Sequence, residues 1–256
     1  MKILAIDCGN TRLKYVWFDE GAAGKVTALA YDDLTALDGL LKAERAQSGE
    51  PDRVVIACVA GDMVRGALVK SLQNLSVEPH WIRAQKRQCG VVNHYDDPGQ
   101  LGSDRWAALI GARARERRAC LVINAGTATT IDVLSATGDF QGGLILPGLD
   151  LMRQALATGT AGLPLAEGRN TEFPHNTADA IWNGCLAAQV GAIEHMRRKL
   201  PESAGCLLSG GTAQLLFPAL NMPCVVVDNL VLEGLAQIAM EIEHTEKAER
   251  TDRAIR

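Results

Sequence analysis

Asp7-Cys8-Gly9-Asn10-Thr11-Arg12-Leu13-Lys14 follows the apolar run Ile3 to Ile6. That run has the continuous apolar character of a buried strand. The strand then delivers an acid, a glycine, short polar side chains and two cations in quick succession. Glycine in a turn lets backbone N–H groups approach a ligand with no Cβ in the way. A hydroxyl and an ammonium beside such a turn suit phosphate, and the acid suits a hydrated divalent cation. Residues 15–18 are apolar again, so the pattern predicts a hairpin around Gly9. An Asp-containing hairpin turn with no ligand has the same local signature.

A second copy shifts the balance. Cys120 to Ile123 is another apolar strand, ending in Asn124-Ala125-Gly126-Thr127-Ala128-Thr129-Thr130. Ile131 to Leu134 returns as a strand, Gly138 turns, and Phe140 leads into Gly142-Gly143-Leu144-Ile145-Leu146-Pro147-Gly148. Repetition of one supersecondary unit points to duplicated domains, expected at 1–118 and 119–256. Two phosphate-accommodating hairpins facing one cleft would grip a nucleotide triphosphate from both sides.

The 256 residues can hold one large or two small domains. A net charge of −4 gives no support to nucleic-acid binding, which favours a clustered basic face. The basic run Arg113 to Arg118 is short, contains Glu116 and reads as a solvated helix face. The seven cysteines are scattered through apolar runs with no C-x-x-C spacing, as small buried hydrophobes in a reducing compartment would be. No signal segment or membrane-spanning stretch is visible, so a soluble, cytoplasmic protein is expected. The five histidines have no metal-ligand spacing.

Between and beyond the hairpins, strands and helices alternate, which argues for an α/β sheet with covered faces. Helices are expected at 32–46, from Gly61, at 105–118, at 149–157, from Asn176 or Thr177, and at 232–242. Strands are expected at 53–60, 77–82, 205–209 and 225–227. Small residues on one face of the helix after Thr177, among them Gly184 and Gly191, suit close helix packing, within the chain or across a subunit contact. Residues 88–102 read as a long polar loop, and such loops are often functional. Ser209 to Ala213 reads as a Gly-rich turn into a helix. Thr177 is an N-cap candidate. The charged tail 243–256 is expected to fray. Asp104 falls at a helix start, where the dipole favours a carboxylate and should hold its pKa at about 4 or below.

The ordered motifs resemble type III pantothenate kinases, in the superfamily of acetate and sugar kinases, heat-shock ATPases and actin. The likeness runs from Ile3 to about Ile242. It rests on Asp7 to Lys14, on Tyr95 with Pro98 and Leu101-Gly102-Ser103-Asp104-Arg105-Trp106, on Ala125 to Asp132, on Gly142 to Gly148, and on Asn176 to Ile181. The resemblance implies two duplicated actin-like, ribonuclease H-like domains with a nucleotide cleft between them. It implies ATP-dependent phosphorylation of the primary hydroxyl of pantothenate, the first step toward coenzyme A, with Mg2+. By that likeness Asp7, Cys8, Gly9, Asn10, Thr11, Arg12, Leu13 and Lys14 wrap the phosphates, and Asp7 helps hold the metal. Thr127 approaches ATP from the second domain, and Asp104 is the catalytic base. Tyr95, Gly102, Ser103, Arg105 and Thr177 contact pantothenate, in a homodimer with the substrate pocket near the subunit contact. Arg105 could grip the pantothenate carboxylate in a bidentate fork. The family usually has an acid at Asn124, associated with potassium or ammonium. An amide brings no charge, so a weaker monovalent-cation dependence is expected here. Two other readings exist: a polyphosphate or nucleotide phosphatase of the same superfamily, and a non-catalytic ATP-binding regulator.

Overall fold

The computed structural model describes residues 1–255. The chain divides into two compact units, Met1–Arg115 with Leu230–Arg256, and Glu116–Asn229. The expected division at 118/119 placed residues 230–256 with the second half; they belong instead to the first.

The first unit opens with strands β1 (Lys2–Cys8), β2 (Arg12–Asp19), β3 (Ala22–Ala23) and β4 (Thr27–Ala30). Helix α1 (Leu37–Ser48), strand β5 (Arg53–Cys58), helix α2 (Gly61–Leu72) and strand β6 (Pro79–Trp81) follow. Its sheet has the order β3-β2-β1-β5-β6, with β4 also on β2. β1 is antiparallel to β2 and parallel to β5. Leu4, Ile6, Val54 and Ile56 are fully buried and pack with Leu37, Leu41 and Leu68 of the covering helices. Each fully buried leucine or isoleucine contributes roughly 1.5–3 kcal/mol.

Residues 88–102 are more ordered than their composition suggests. Strands β7 (Arg87–Gln88) and β8 (Val91–Asn93) form a hairpin through Cys89 and Gly90, both at positive φ. A short 3-10 turn, Pro98–Gln100, is capped by Asp97, which accepts from the Gly99 N–H at 2.9 Å. Helix α3 (Ser103–Arg115) is nearly all buried between Ser103 and Ala112.

In the second unit, β9 (Cys120–Ala125), β10 (Ala128–Leu134) and β11 (Asp139–Pro147) form an antiparallel meander. Helix α4 (Leu149–Gly159), helix α5 (Thr177–Arg197), strand β12 (Gly205–Ser209), helix α6 (Ala213–Leu216) and strand β13 (Val225–Val226) complete it. β12 lies parallel to β9, and β13 parallel to β12. The pattern of the first unit is therefore repeated: a central strand with an antiparallel partner on one side and parallel strands on the other. Asn176, not Thr177, caps α5, its Oδ1 accepting from the Asp179 N–H at 2.8 Å. A Cβ at Gly184 or Gly191 would meet nothing within 4 Å, so these glycines make no close helix packing within the chain.

The last helix, Leu230–Ile255, returns to the first unit and packs on α3, β1 and β5. Its backbone touches that of α3: a Cβ on Gly234 would lie 1.8 Å from the Ala107 carbonyl oxygen. The segment expected to fray from Glu243 onward is helical through Ile255; Arg256 lies outside the described residues. Arg53 explains its start. The guanidinium lies 2.6 Å from Glu243 Oε2 and 2.5 Å from Glu246 Oε2, and Lys247 pairs with Glu243 one turn along.

Candidate active site

β1 carries Asp7 to the end of a fully buried apolar strand, opposite Lys14 on β2 and Ala57 on β5. Gly9, Asn10, Thr11 and Arg12 make the turn, closed by the Gly9 N–H donating to the Arg12 carbonyl at 3.2 Å. Asn10, Thr11 and Arg12 are exposed. Cys8 and Leu13 are not: both side chains sit in the core of the unit, so only their backbone can face a phosphate. Beneath the turn, the Cys8 thiol donates to Cys58. This pushes Cys8 up and pulls Cys58 down to about 6.

Asp7 Oδ1 is enclosed and has no hydrogen-bond partner. The Asp7 pKa is raised to about 7, chiefly by burial, with the Asp104 carboxylate adding to the rise and Lys14 opposing it. An orphaned carboxylate oxygen beside a second acid fits a divalent cation. Mg2+ is commonly bound by one or two carboxylates with substrate phosphates supplying the rest. Among the described residues no group of three or more His, Cys, Asp or Glu is placed to hold a metal ion.

The start of α3 supplies the second acid. The Cys58 N–H donates to Ser103 Oγ at 3.2 Å, tying the helix start to the end of β5. Asp104 Oδ1 accepts from the Arg105 N–H at 2.8 Å and lies so close to Gly102 that a Cβ there would sit 2.6 Å from it. Any larger residue at 102 would push the Asp104 carboxylate from this position. The Asp104 pKa is raised, against the expectation of about 4 or below. Burial outweighs the backbone hydrogen bond and the charge of Arg105.

Arg105 is buried, and its Nη1 donates to the Tyr95 hydroxyl at 3.0 Å, with the guanidinium 5.8 Å from the Tyr95 ring centre. Tyr95 is fixed in turn by Asn93, whose Oδ1 accepts from the Tyr95 N–H at 3.0 Å and whose Nδ2 donates to the Pro98 carbonyl at 3.2 Å. Asp7, Tyr95, Gly102, Ser103, Asp104 and Arg105 thus all belong to the first unit. Tyr31 is absent from the sequence-derived set. Its hydroxyl donates to the Gly9 carbonyl and braces the turn from outside. No local motif marks it, because its position depends on β4 pairing with β2, Ala30 opposite Arg12.

In the second unit the equivalent turn is Gly126, Thr127 and Ala128, with the Gly126 N–H donating to Ala128 at 3.1 Å. Thr127 is exposed, and its carbonyl accepts from the Gly148 N–H at 2.8 Å. The Gly-rich turn after β12 supports this hairpin: Thr212 donates to the Ala125 carbonyl through its N–H and its Oγ1. Asn124 lies between Thr130 and Ser209 in register, a row with no formal charge. Thr177, the first residue of α5, borders an apolar groove of about 620 Å³ with Met152, Leu156, Leu163, Ile181 and Cys185.

The repeated sheet, with a glycine turn at the end of each central hairpin, defines the class: a two-domain protein of actin-like fold. A solved structure from Campylobacter jejuni, described as a Baf family transcriptional activator, matches with a TM-score of 0.61 at 20% identity, covering 94% of this chain and 99% of that one. A structure from Listeria monocytogenes that carries an N-acetylmannosamine kinase designation matches with a TM-score of 0.55 at 13% identity, covering 96% and 100%. The family model for type III pantothenate kinase matches residues 3–199. The type III pantothenate kinase of Aromatoleum aromaticum is 52% identical over 247 residues, 93% of this chain and 98% of that protein. That of Nitrosospira multiformis is 45% identical over 253 residues, 95% and 93%. The chain belongs to the type III pantothenate kinase family.

Proposed function

We propose that this chain uses ATP to phosphorylate the primary hydroxyl of pantothenate, giving 4'-phosphopantothenate for coenzyme A synthesis. The observation that carries the reading is the pair of acids, Asp7 orphaned at a strand end and Asp104 at a helix start, within electrostatic reach of each other. Phosphoryl transfer needs positioning and charge neutralisation more than covalent help. Mg2+ bound with the phosphates supplies that neutralisation. Asp7 holds it, the turn from Gly9 to Arg12 and Lys14 take the phosphates, and Thr127 approaches from the second hairpin. Asp104 accepts the hydroxyl proton, and its raised pKa makes it a better base than an ordinary helix-start aspartate. Tyr95, Gly102, Ser103, Arg105 and Thr177 bind pantothenate. Because Arg105 already donates to Tyr95, it grips the substrate together with that hydroxyl.

Three further features belong to the same proposal. The neutral Asn124 gives a weak dependence on potassium or ammonium. A second copy of the chain covers the groove along α4 and α5, whose lining residues Pro147 and Leu163 are each two residues along the chain from an exposed apolar side chain, Ile145 and Leu165. The protein works in the cytoplasm, in keeping with seven free cysteines; among the described residues no helix is long and apolar enough to cross a membrane. The phosphatase and non-catalytic alternatives are not favoured, since the relatives that match near full length are type III pantothenate kinases.

Purified protein given ATP, Mg2+ and pantothenate should yield phosphopantothenate. Asp104→Asn should keep ATP binding and lose about 10²–10⁴-fold in turnover, the usual worth of a general base. Near-normal turnover in that variant removes Asp104 from the role. Light scattering should give a dimer; a monomer at assay concentration removes the second copy.

A further inference from the structure

Cys206 lies on β12 and Cys224 immediately precedes β13, both in the second unit. The two strands run parallel with Leu207 opposite Val225, which places Cys206 beside Cys224. Their Sγ atoms are 3.0 Å apart. Neighbouring strands lie about 4.8 Å apart, inside the Cα separation of roughly 4.4–6.8 Å that a disulfide spans. The bond therefore needs little backbone movement. Cys206 is buried and Cys224 only partly so. The hydrogen bond between the two sulfurs holds Cys224 below the usual thiol range and Cys206 above it. The more accessible sulfur is thus the readier nucleophile.

We propose that Cys206 and Cys224 are an oxidisable pair that closes to an intramolecular disulfide by exchange with a small-molecule disulfide such as oxidised glutathione. The Cys224 thiolate attacks one sulfur of the small disulfide and expels a thiolate, forming a mixed disulfide. Cys206, losing its proton, attacks the Cys224 sulfur and expels the second thiolate. Two protein thiols are oxidised, one small disulfide is reduced to two thiols, and the two protons end on those thiols.

The bond would fasten β13, a two-residue edge strand, to β12. The ring it closes contains the turn Ser209 to Thr212, which supports Ala125 beneath the second hairpin. Gly210 is pressed so closely on Ala125 that a Cβ would lie 2.3 Å from its carbonyl oxygen. Closing that ring removes freedom from the unfolded chain and from local opening of the turn. The pair would react in the same way whatever the chain phosphorylates.

The test is to incubate the intact protein with oxidised glutathione, alkylate the remaining thiols and digest with trypsin without reduction. Both cysteines fall in one tryptic peptide, residues 200–247. The expected result is that peptide lighter by two hydrogens, unlabelled, and restored by dithiothreitol. The oxidised chain should melt several degrees higher. In Cys206→Ser, glutathione should stay attached at Cys224. Full labelling of both thiols, glutathione retained at Cys224 in the unmutated chain, or a bond to another cysteine would overturn the pair. A bond without a higher melting temperature would overturn its fastening role.

Discussion

In the first unit Cys8 pairs with Leu13 across Gly9 to Arg12; in the second Ala125 pairs with Thr129 across Gly126 to Ala128. One turn is a residue longer and brings charge: Asp7, Arg12 and Lys14. Its counterpart is uncharged, with Asn124 at the place of Asp7 and Thr130 at the place of Lys14. What the second turn brings is fit. Gly148 and Gly210 press on it so closely that a Cβ at either would lie 2.1 or 2.3 Å from a backbone oxygen, of Gly126 and Ala125 respectively. The same supersecondary unit has thus been kept as a shape in both places, while the electrostatic work is concentrated in one.

Making the first turn resemble the second should have the largest effect. Asp7→Asn should abolish turnover and also change how stability depends on pH. The Asp7 pKa is raised from 3.8 to about 7 by folding. Below pH 3.8 the group is protonated in both states and costs nothing. Between there and pH 7 the unfolded chain ionises first, so the metal-free protein loses stability as pH rises, with the full cost present above 7. That cost is on the order of 4 kcal/mol. Urea melts of metal-free Asp7→Asn should lack that slope and show higher stability at pH 8; equal slopes in both proteins would mean that burial leaves the Asp7 carboxyl at its ordinary acidity. Next comes Gly148→Ala, which attacks the fit of the second turn. Overpacking of this kind costs roughly 1–3 kcal/mol, and the displaced Thr127 should raise the KM for ATP; an unchanged melt and KM would show that the contact yields freely. Tyr31→Phe removes one hydrogen bond from the first turn, worth about 1 kcal/mol. The KM for ATP should rise about fivefold with kcat nearly constant, and a fall in kcat alone would place Tyr31 elsewhere in the reaction. The smallest change is expected from Asn124→Asp, which gives the second turn the acid of the first. Steady-state rates should then gain a modest stimulation by potassium; no gain would detach position 124 from the cation.

Both hairpins were legible because their chemistry is local: an apolar strand, a glycine turn and a returning strand lie within a dozen or so residues. So was Asp104 at a helix start. Features that depend on distant pairing were not. Gly234 meets Ala107 only after the chain has passed through the whole second unit, so neither the partner of the last helix nor its unit could be read from periodicity. The charged segment after Glu243 looks like a fraying tail until Arg53, on a strand near the other end of the sequence, is set beside Glu243 and Glu246. The hairpin β7–β8 was hidden by its polar residues, some of which, such as Asn93, are buried as struts. Asp104 was placed correctly but its acidity was not, since enclosure is a property of the folded surroundings that a sequence window does not contain.

The return of the last helix sets an order of assembly. During synthesis the inner unit, Glu116 to Asn229, leaves the ribosome complete while the outer one still lacks the helix that covers α3. Until Leu230 and the residues after it emerge, α3 keeps its contacts with β5 and β8, but it and the strand bearing Asp7 lack their packing against the last helix. A nascent chain stopped short of that helix would hold one unit with all its elements and one without the partner of α3.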